Sequence, residues 1–288
     1  MNNNAGADYV KTQQRFPPAL ASALKPGQRA CSFDGDADRI IYYYLDEQSQ
    51  FKLLDGDKIA CLVAGFIVDL VKGAGLSEKI QVGVVQTAYA NGSSTKYLLQ
   101  RLPVKCVPTG VKHLHHAAEK FDVGVYFEAN GHGTVLFSPA ITDLLASHQP
   151  ETPAEATSLE HLVSLTNLIN QTVGDALSDL LLVEVVLAHR SYTAVEWDSS
   201  YIDLPNRLVK VVVKNRNEFT TEDAERRLVT PVGLQAKIDE TVKKYEGGRS
   251  FVRASGTEDA VRVYAEAATR PHADGTSDRS NHRKRTSY

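Results

Sequence analysis

Three aspartates stand at alternate positions, Asp34, Asp36 and Asp38, spaced by the small residues Gly35 and Ala37 and followed by Arg39. Cys31 to Phe33 before them and Ile40 to Leu45 after them read as strands, so the carboxylates occupy a tight strand-to-strand connection. Gly35 and Ala37 add no bulk there, and alternate side chains can converge on one point. Hard oxygen donors with no His or Cys beside them suit Mg²⁺ rather than Zn²⁺, and an octahedral Mg²⁺ held by few protein groups shares its shell with phosphate oxygens. Other readings compete. An EF-hand needs Gly and Glu where this chain has Arg39 and Leu45, which excludes it. A phosphatase with an aspartyl nucleophile would use Asp34 and Asp36, but Asp38 and Arg39 fit it poorly. A solvated acidic turn is the ordinary alternative.

Two further loops carry chemistry. Arg253-Ala254-Ser255-Gly256-Thr257-Glu258-Asp259 lies between the strand-like runs Ser250 to Arg253 and Val261 to Ala267 and has the parts of an anion cradle. Gly256 lets backbone amides approach an oxyanion, Ser255 and Thr257 add hydroxyl donors, Arg253 can grip phosphate with two N–H groups, and Arg262 could add a second charge. A hairpin turn with surface hydroxyls is the plain alternative. Glu128-Ala129-Asn130-Gly131-His132-Gly133 follows the apolar run Val123 to Phe127 and precedes Thr134 to Phe137. It reads equally as an Asn-Gly hairpin turn or as a hydroxyl-reading loop, in which Glu128 accepts from neighbouring sugar hydroxyls and Asn130 both donates and accepts.

The ordered set D-G-D-A-D-R, T-G-V-K-H (Thr109 to His113), E-A-N-G-H-G and R-A-S-G-T-E-D resembles the α-D-phosphohexomutase superfamily. Its phosphoacetylglucosamine mutase branch is further resembled by Asn130 in the sugar loop, the opening Gly6 to Lys11, and Gln86 to Ser94. The resemblance covers about residues 2 to 268. It implies an enzyme interconverting N-acetylglucosamine 6-phosphate and 1-phosphate for UDP-N-acetylglucosamine synthesis, in which a phosphoserine donates its phosphoryl group and the sugar bisphosphate later returns one. Carried over by motif, Asp34, Asp36 and Asp38 bind Mg²⁺ and Arg39 approaches the phosphoserine. Glu128, Asn130, Gly131 and His132 meet the sugar, and Arg253, Ser255, Gly256, Thr257 and Arg262 hold the phosphate that is not transferred. Lys112 and His113 are candidates for proton transfer, while His113, His115 and His116 are expected to cap or pack a short helix rather than bind metal.

The family's phosphoserine loop, T-A-S-H-N-P, belongs to a first domain ahead of the metal loop, and here only residues 1–33 precede it. Ala146-Ser147-His148-Gln149-Pro150 is the nearest look-alike, but it lacks the Thr and Asn and follows the sugar loop, in a Pro-, Thr-, Ser- and Glu-rich stretch that reads as an exposed connection. The expectation is a chain inactive alone. The alternatives are a non-catalytic Mg²⁺ and sugar-phosphate binding fragment, pairing with a full-length relative, or a Mg²⁺-dependent phosphatase.

The elements that must position these loops alternate in an α/β pattern. Asp57 to Lys72 and Ser93 to Leu102 have helical period, whereas Ile80 to Gln86, Val104 to Val107 and Val123 to Phe127 read as strands. Leu159 to Arg190 reads as two helices. Leu208 to Val213, Pro231 to Tyr245, Ser250 to Arg253 and Val261 to Ala267 follow as strand, helix, strand, strand. The expected division is a domain-2 remnant with the metal loop at 1–49, domain 3 at 50–185, a small α+β phosphate-binding domain at 186–268, and a disordered or aberrant tail at 269–288. Hydrophobic residues make up 42% of the 288, ample for packed cores, and a net charge of −3 gives no electrostatic case for nucleic acid. The longest apolar run, Ile59 to Val71, includes Asp69 and is too short to span a membrane. Three widely spaced cysteines and a polar N-terminus point to a reduced, cytoplasmic setting.

Overall fold

The computed structural model describes residues 3–20 and 23–281. The chain divides into two compact units, one comprising residues 1–86, 94–105 and 111–202, the other 87–93, 106–110 and 203–288.

The first unit opens with α1 (Ala7–Gln13) and a three-stranded antiparallel sheet, β1 (Arg29–Phe33), β2 (Ile40–Leu45) and β3 (Phe51–Leu54), in that order. The two-residue period of β2 sorts its side chains between two cores. Ile41 and Tyr43 pack with Ala7 and Val10 of α1, while Ile40, Tyr42 and Tyr44 join the main core. That core surrounds α2 (Gly56–Gly73), capped by Asp55, whose carboxylate accepts from the Asp57 amide. A second sheet has the order β5-β4-β6-β7, from β4 (Val82–Thr87), β5 (Val104–Val107), β6 (Val123–Phe127) and β7 (Gly133–Phe137), with α3 (Gly92–Leu99) and α4 (Val111–Ala118) between its strands. β4 and β6 run parallel and β6 and β7 antiparallel. The four helices α5 (Pro139–Ser147), α6 (Pro153–Leu168), α7 (Ala176–Arg190) and α8 (Ala194–Asp198) complete the unit.

The second unit holds β8 (Asn206–Val212), the ribbon of β9 (Thr220–Glu222) and β10 (Arg227–Thr230), α9 (Leu234–Val242), β11 (Arg249–Ala254), β12 (Ala260–Glu266) and α10 (Arg270–Asn281). β11, β12 and β8 form an antiparallel sheet in that order over a small core that includes Val213, Leu228, Ile238, Val252, Val261 and Val263.

Four expectations differ from the structure. A boundary at 185/186 falls inside α7, and the chain stays with the first unit through Ile202. Trp197 is buried there and donates its indole N–H to the Lys58 carbonyl at 3.1 Å, while the buried Lys58 ammonium donates to the carbonyls of Asp198 (2.7 Å) and Tyr201 (2.6 Å). Residues 1–49 likewise cluster with the first unit rather than apart from it. The Pro- and Thr-rich stretch after His148 contains a helix start: Thr152 caps α6 by accepting from the Glu155 amide, with Pro153 in the first turn. The expected disordered tail is helical over Arg270–Asn281, because Ala273 is fully buried and Gly275 lies against Tyr245. Residues 282–288 of that tail lie outside the described residues.

Candidate active site

The metal loop is the tip of the β1–β2 hairpin, whose last pair sets Phe33 opposite Ile40. Asp34 Oδ1 accepts from the backbone amides of Asp38 (3.0 Å) and Arg39 (3.1 Å), and Ala37 takes a left-handed φ of +57°. This winding brings one carboxylate oxygen from each of Asp34, Asp36 and Asp38 within 4.8 Å of one another. Asp36 is exposed and the other two are half-buried. Asp38 Oδ1 is buried with no hydrogen-bond partner. Arg39 Nε, 3.7 Å away, gives that oxygen charge compensation without a hydrogen bond, and a hard divalent cation is what the three-carboxylate donor set fits. Arg39 threads the same acids: its guanidinium is 3.1 Å from Asp8 of α1 and 3.7 Å from both Asp34 and Asp38. Lys11, also on α1, pairs with Asp55 at the start of α2, so α1 is tied to that helix start as well.

The sugar loop is the tip of the β6–β7 hairpin. Its side chains divide into two sets. Glu128 and Asn130 are half-buried and linked at 3.4 Å, and Asn130 Oδ1 accepts from the His132 amide at 3.0 Å. Gly131 and His132, expected to meet the sugar, are buried. Gly131 has φ +91° and accepts from the Ile40 amide at 3.1 Å, and a Cβ there would lie 2.0 Å from the Ile40 carbonyl oxygen. His132 is 7% exposed, with Nδ1 3.2 Å from Asp38 Oδ2. Backbone pairing of Arg39 with His132 completes the join. Both residues help fix the sugar loop to the metal loop, and His132 Nε2 is buried with no hydrogen-bond partner. Gly56 at the start of α2 makes a second close approach, where a Cβ would lie 1.8 Å from the Glu128 carbonyl oxygen.

The phosphate loop connects β11 to β12 and is closed by the Ser255 amide donating to the Ala260 carbonyl at 2.8 Å. Ser255 is buried, whereas a Cβ on Gly256 would meet nothing within 4 Å. Arg253 Nε donates to the Tyr89 hydroxyl at 2.9 Å, and its NH1 lies 3.3 Å from Glu225. Burial opposes the Arg253 charge, yet Tyr89 and Glu225 outweigh it and hold the pKa above the ordinary arginine value. Arg262 pairs with Glu258 at 2.9 Å, and Lys210 pairs with the same carboxylate.

Lys112 and His113 sit exposed on the first turn of α4 and, among the described residues, have no hydrogen-bond or ion-pair partner. His115 and His116 pack and pair as expected, the first with Tyr126 and Glu119 and the second with Glu119. Ser147 lies in the last turn of α5, where its hydroxyl donates to the carbonyls of Asp143 (2.8 Å) and Leu144 (3.3 Å). Burial raises the Cys106 thiol and pushes Cys31 up to about 11. Sequence reasoning missed Asp8, Tyr89, Thr109 and Glu225 as companions of these loops. The strings around the first three were noticed as family-like, but nothing local marks which partner each one reaches, and Glu225 carries no motif signal at all.

Residues 55–192 match the family described as phosphoacetylglucosamine mutase AMG1, domain III, and residues 208–280 match the phosphoglucomutase/phosphomannomutase C-terminal domain. The chain is 55% identical over 276 residues to phosphoacetylglucosamine mutase 2 of Schizosaccharomyces pombe, covering 95% of this chain and 50% of that protein. It is 51% identical to the human phosphoacetylglucosamine mutase over 95% of this chain and 50% of the relative. The crystal structure of Aspergillus fumigatus N-acetylphosphoglucosamine mutase in complex with GlcNAc-6P and magnesium superposes with a TM-score of 0.93 at 58% identity, over 97% of this chain and 56% of that one. The chain thus spans about half the length of the relatives it matches. With these matches extending over 95% of its length, the chain is similar, over about half of their length, to the phosphoacetylglucosamine mutases of the α-D-phosphohexomutase superfamily.

Proposed function

We propose that this chain supplies the metal-, sugar- and phosphate-binding loops of a phosphoacetylglucosamine mutase, an isomerase that interconverts N-acetylglucosamine 6-phosphate and 1-phosphate for UDP-N-acetylglucosamine synthesis. The observation that carries the reading is the join between two loops of unlike chemistry, with His132 on Asp38 and Gly131 on Ile40. A solvated acidic turn and an ordinary Asn-Gly hairpin would have no reason to lock together through buried polar contacts.

In this reading Asp34, Asp36 and Asp38 hold Mg²⁺, which neutralises charge on a transferring phosphoryl group when bound. Arg39, aimed by Asp8, stabilises phosphoryl oxygens. Glu128 accepts from sugar hydroxyls and Asn130 both donates and accepts. Arg253, with Ser255, Gly256 and Thr257, grips the phosphate that stays in place, and Arg262 adds positive charge. Lys112 and His113 are the candidates for moving a proton. The phosphatase reading is weaker, since the carboxylate that would attack, Asp34, already accepts two backbone N–H bonds.

The T-A-S-H-N-P carrier motif does not occur in the 288 residues, and Ser147 commits its hydroxyl to its own helix. We therefore expect this polypeptide to bind sugar phosphate without turning it over by itself, and to gain activity by pairing with a polypeptide that carries the motif. Among the described residues no helix is long and apolar enough to cross a membrane, and three free cysteines fit a reducing cytoplasmic setting.

The test is calorimetry and a conversion assay on the purified chain with Mg²⁺ and a glucosamine-type 1,6-bisphosphate. Binding of N-acetylglucosamine 6-phosphate with no conversion is expected. Robust turnover that disappears in Ser147→Ala would make residues 146–148 the carrier loop, and absence of any binding would sink the reading altogether.

A further inference from the structure

The Glu225 carboxylate sits on a set of donors of the kind that bind phosphate. Arg253 NH1 approaches its Oε1 at 3.3 Å, while the Thr109 amide and hydroxyl donate to its Oε2 at 2.9 and 2.5 Å. A guanidinium, a backbone N–H and a hydroxyl converging on the two oxygens of one carboxylate make an oxyanion site, and this one lies beside Ser255-Gly256-Thr257 in sequence through Arg253 itself.

We propose that Thr109 belongs to the phosphate site and that Glu225 is its built-in occupant, displaced when the substrate phosphate takes over the same donors. This rests on the phosphate-cradle reading above.

Two features separate an exchangeable counter-ion from a bracket that merely aims Arg253. Arg253 is already oriented without Glu225, since its Nε donates to the Tyr89 hydroxyl and its guanidinium stacks 5.4 Å from the centre of that ring. NH1 also donates to the Ala254 carbonyl at 3.3 Å, which leaves its second N–H for a changeable partner. Secondly, Glu225 is delivered by a strained tip. Asp223, Ala224 and Glu225, between β9 and β10, have φ of +52°, +53° and +67°. Three successive L-residues in the left-handed region persist only where surrounding contacts hold them. Here the holding contacts include Arg226, which grips both the Asp223 carboxylate and its carbonyl, and the Thr109 and Arg253 bonds themselves. Release of Glu225 would give up the latter and relax the tip.

Electrostatics gives the exchange a direction. A part-buried guanidinium needs an anion beside it, and the Glu225 monoanion supplies one. A phosphate dianion and a carboxylate cannot both stay at hydrogen-bond distance from one NH1 without repelling, and the dianion gains more from Arg253 and from the two Thr109 donors.

The experiment measures binding of inorganic phosphate and of N-acetylglucosamine 6-phosphate to the full 288-residue chain by calorimetry. Glu225→Gln removes the competing charge and keeps an acceptor for Thr109, so both ligands should bind about three- to tenfold tighter, the inverse of the fraction of time the cradle is open. Thr109→Val in the Glu225→Gln background should then lose roughly tenfold, because a donor to the phosphate is gone. Melting curves and Glu225→Ala guard against a folding artefact. Unchanged or weaker binding in both Glu225 variants overturns the exchange, as does indifference to Thr109→Val for that residue's part. Arg253→Ala distinguishes the levels: if it abolishes binding while the Glu225 variants fail to tighten it, the cradle stands and the exchange falls. If Arg253→Ala loses nothing, both fall.

Discussion

Replacing Gly131 by alanine tests whether the sugar loop and the metal loop act as one piece. Gly131 has φ +91°, and the new methyl would lie 2.0 Å from the Ile40 carbonyl oxygen, 2.8 Å from its carbon and 3.1 Å from its nitrogen. None of these atoms is the end of a flexible side chain, so the two backbones must part. The left-handed conformation costs an alanine roughly 1–2 kcal/mol, and parting the strands gives up the Ile40 N–H to Gly131 carbonyl bond, worth about 1 kcal/mol. Together these come to about 2–3 kcal/mol, which in a unit of this size lowers the melting temperature by roughly 4–12 °C. Because His132 follows Gly131 directly and holds Asp38, Mg²⁺ affinity should fall as well. Gly256→Ala is the control. Its methyl would meet nothing within 4 Å, so stability should change by less than about 0.5 kcal/mol, while sugar-phosphate affinity drops because the methyl crowds the backbone an anion approaches. Thermal melts and calorimetry on both variants decide the matter. A Gly131→Ala protein that melts within about 2 °C of the parent and binds Mg²⁺ unchanged would refute the reasoning.

Asp36→Ala should abolish Mg²⁺ binding while leaving the melting temperature nearly unaltered, since Asp36 is exposed; equal titration curves for parent and variant would remove Asp36 from the ligand set. Arg253→Ala should weaken N-acetylglucosamine 6-phosphate binding by roughly 1.5–3 kcal/mol, the range for a hydrogen bond to a charged group, and Asn130→Ala should do less. The reverse order would point to the sugar loop as the dominant anchor. Asp179 is buried on α7, and burial, with Asp175 adding to it, raises its pKa well above the usual carboxylate value. The folded chain therefore keeps a proton that the unfolded chain releases near pH 4, so this group's contribution to stability falls as pH rises from there towards its folded pKa. Asp179→Asn should accordingly be more stable than the parent at pH 7 in urea melts, with the advantage vanishing at about pH 4; an advantage independent of pH would place its origin elsewhere.

Much of the site is legible in the amino-acid order because its signals are local. D-G-D-A-D-R and R-A-S-G-T-E-D each lie between runs whose apolar residues announce strands, and both loops stand on the hairpins this implies. The two-residue period of β2 and the helical period of α2 are likewise properties of short stretches of chain. Composition misled where burial outweighed it: the polar segment after Ala268 is helical because Ala273 and Gly275 have partners to pack on. The division between the units was misplaced for a similar reason, as Trp197 finds its acceptor on Lys58, far back in the chain.

What the amino-acid order determined by itself was therefore the inventory: which loops carry carboxylates, hydroxyls and guanidinium groups, and which strands hold them, since those depend on neighbours a few residues apart. Tertiary structure alone decided what each group faces. Arg39 meets Asp8 across 31 residues and Arg253 meets Glu225 across 28, and His132 turns from the sugar loop to the metal loop because Gly131 lets two backbones touch. Such pairings depend on how separate hairpins pack, and no local pattern of residue types encodes the distance between them.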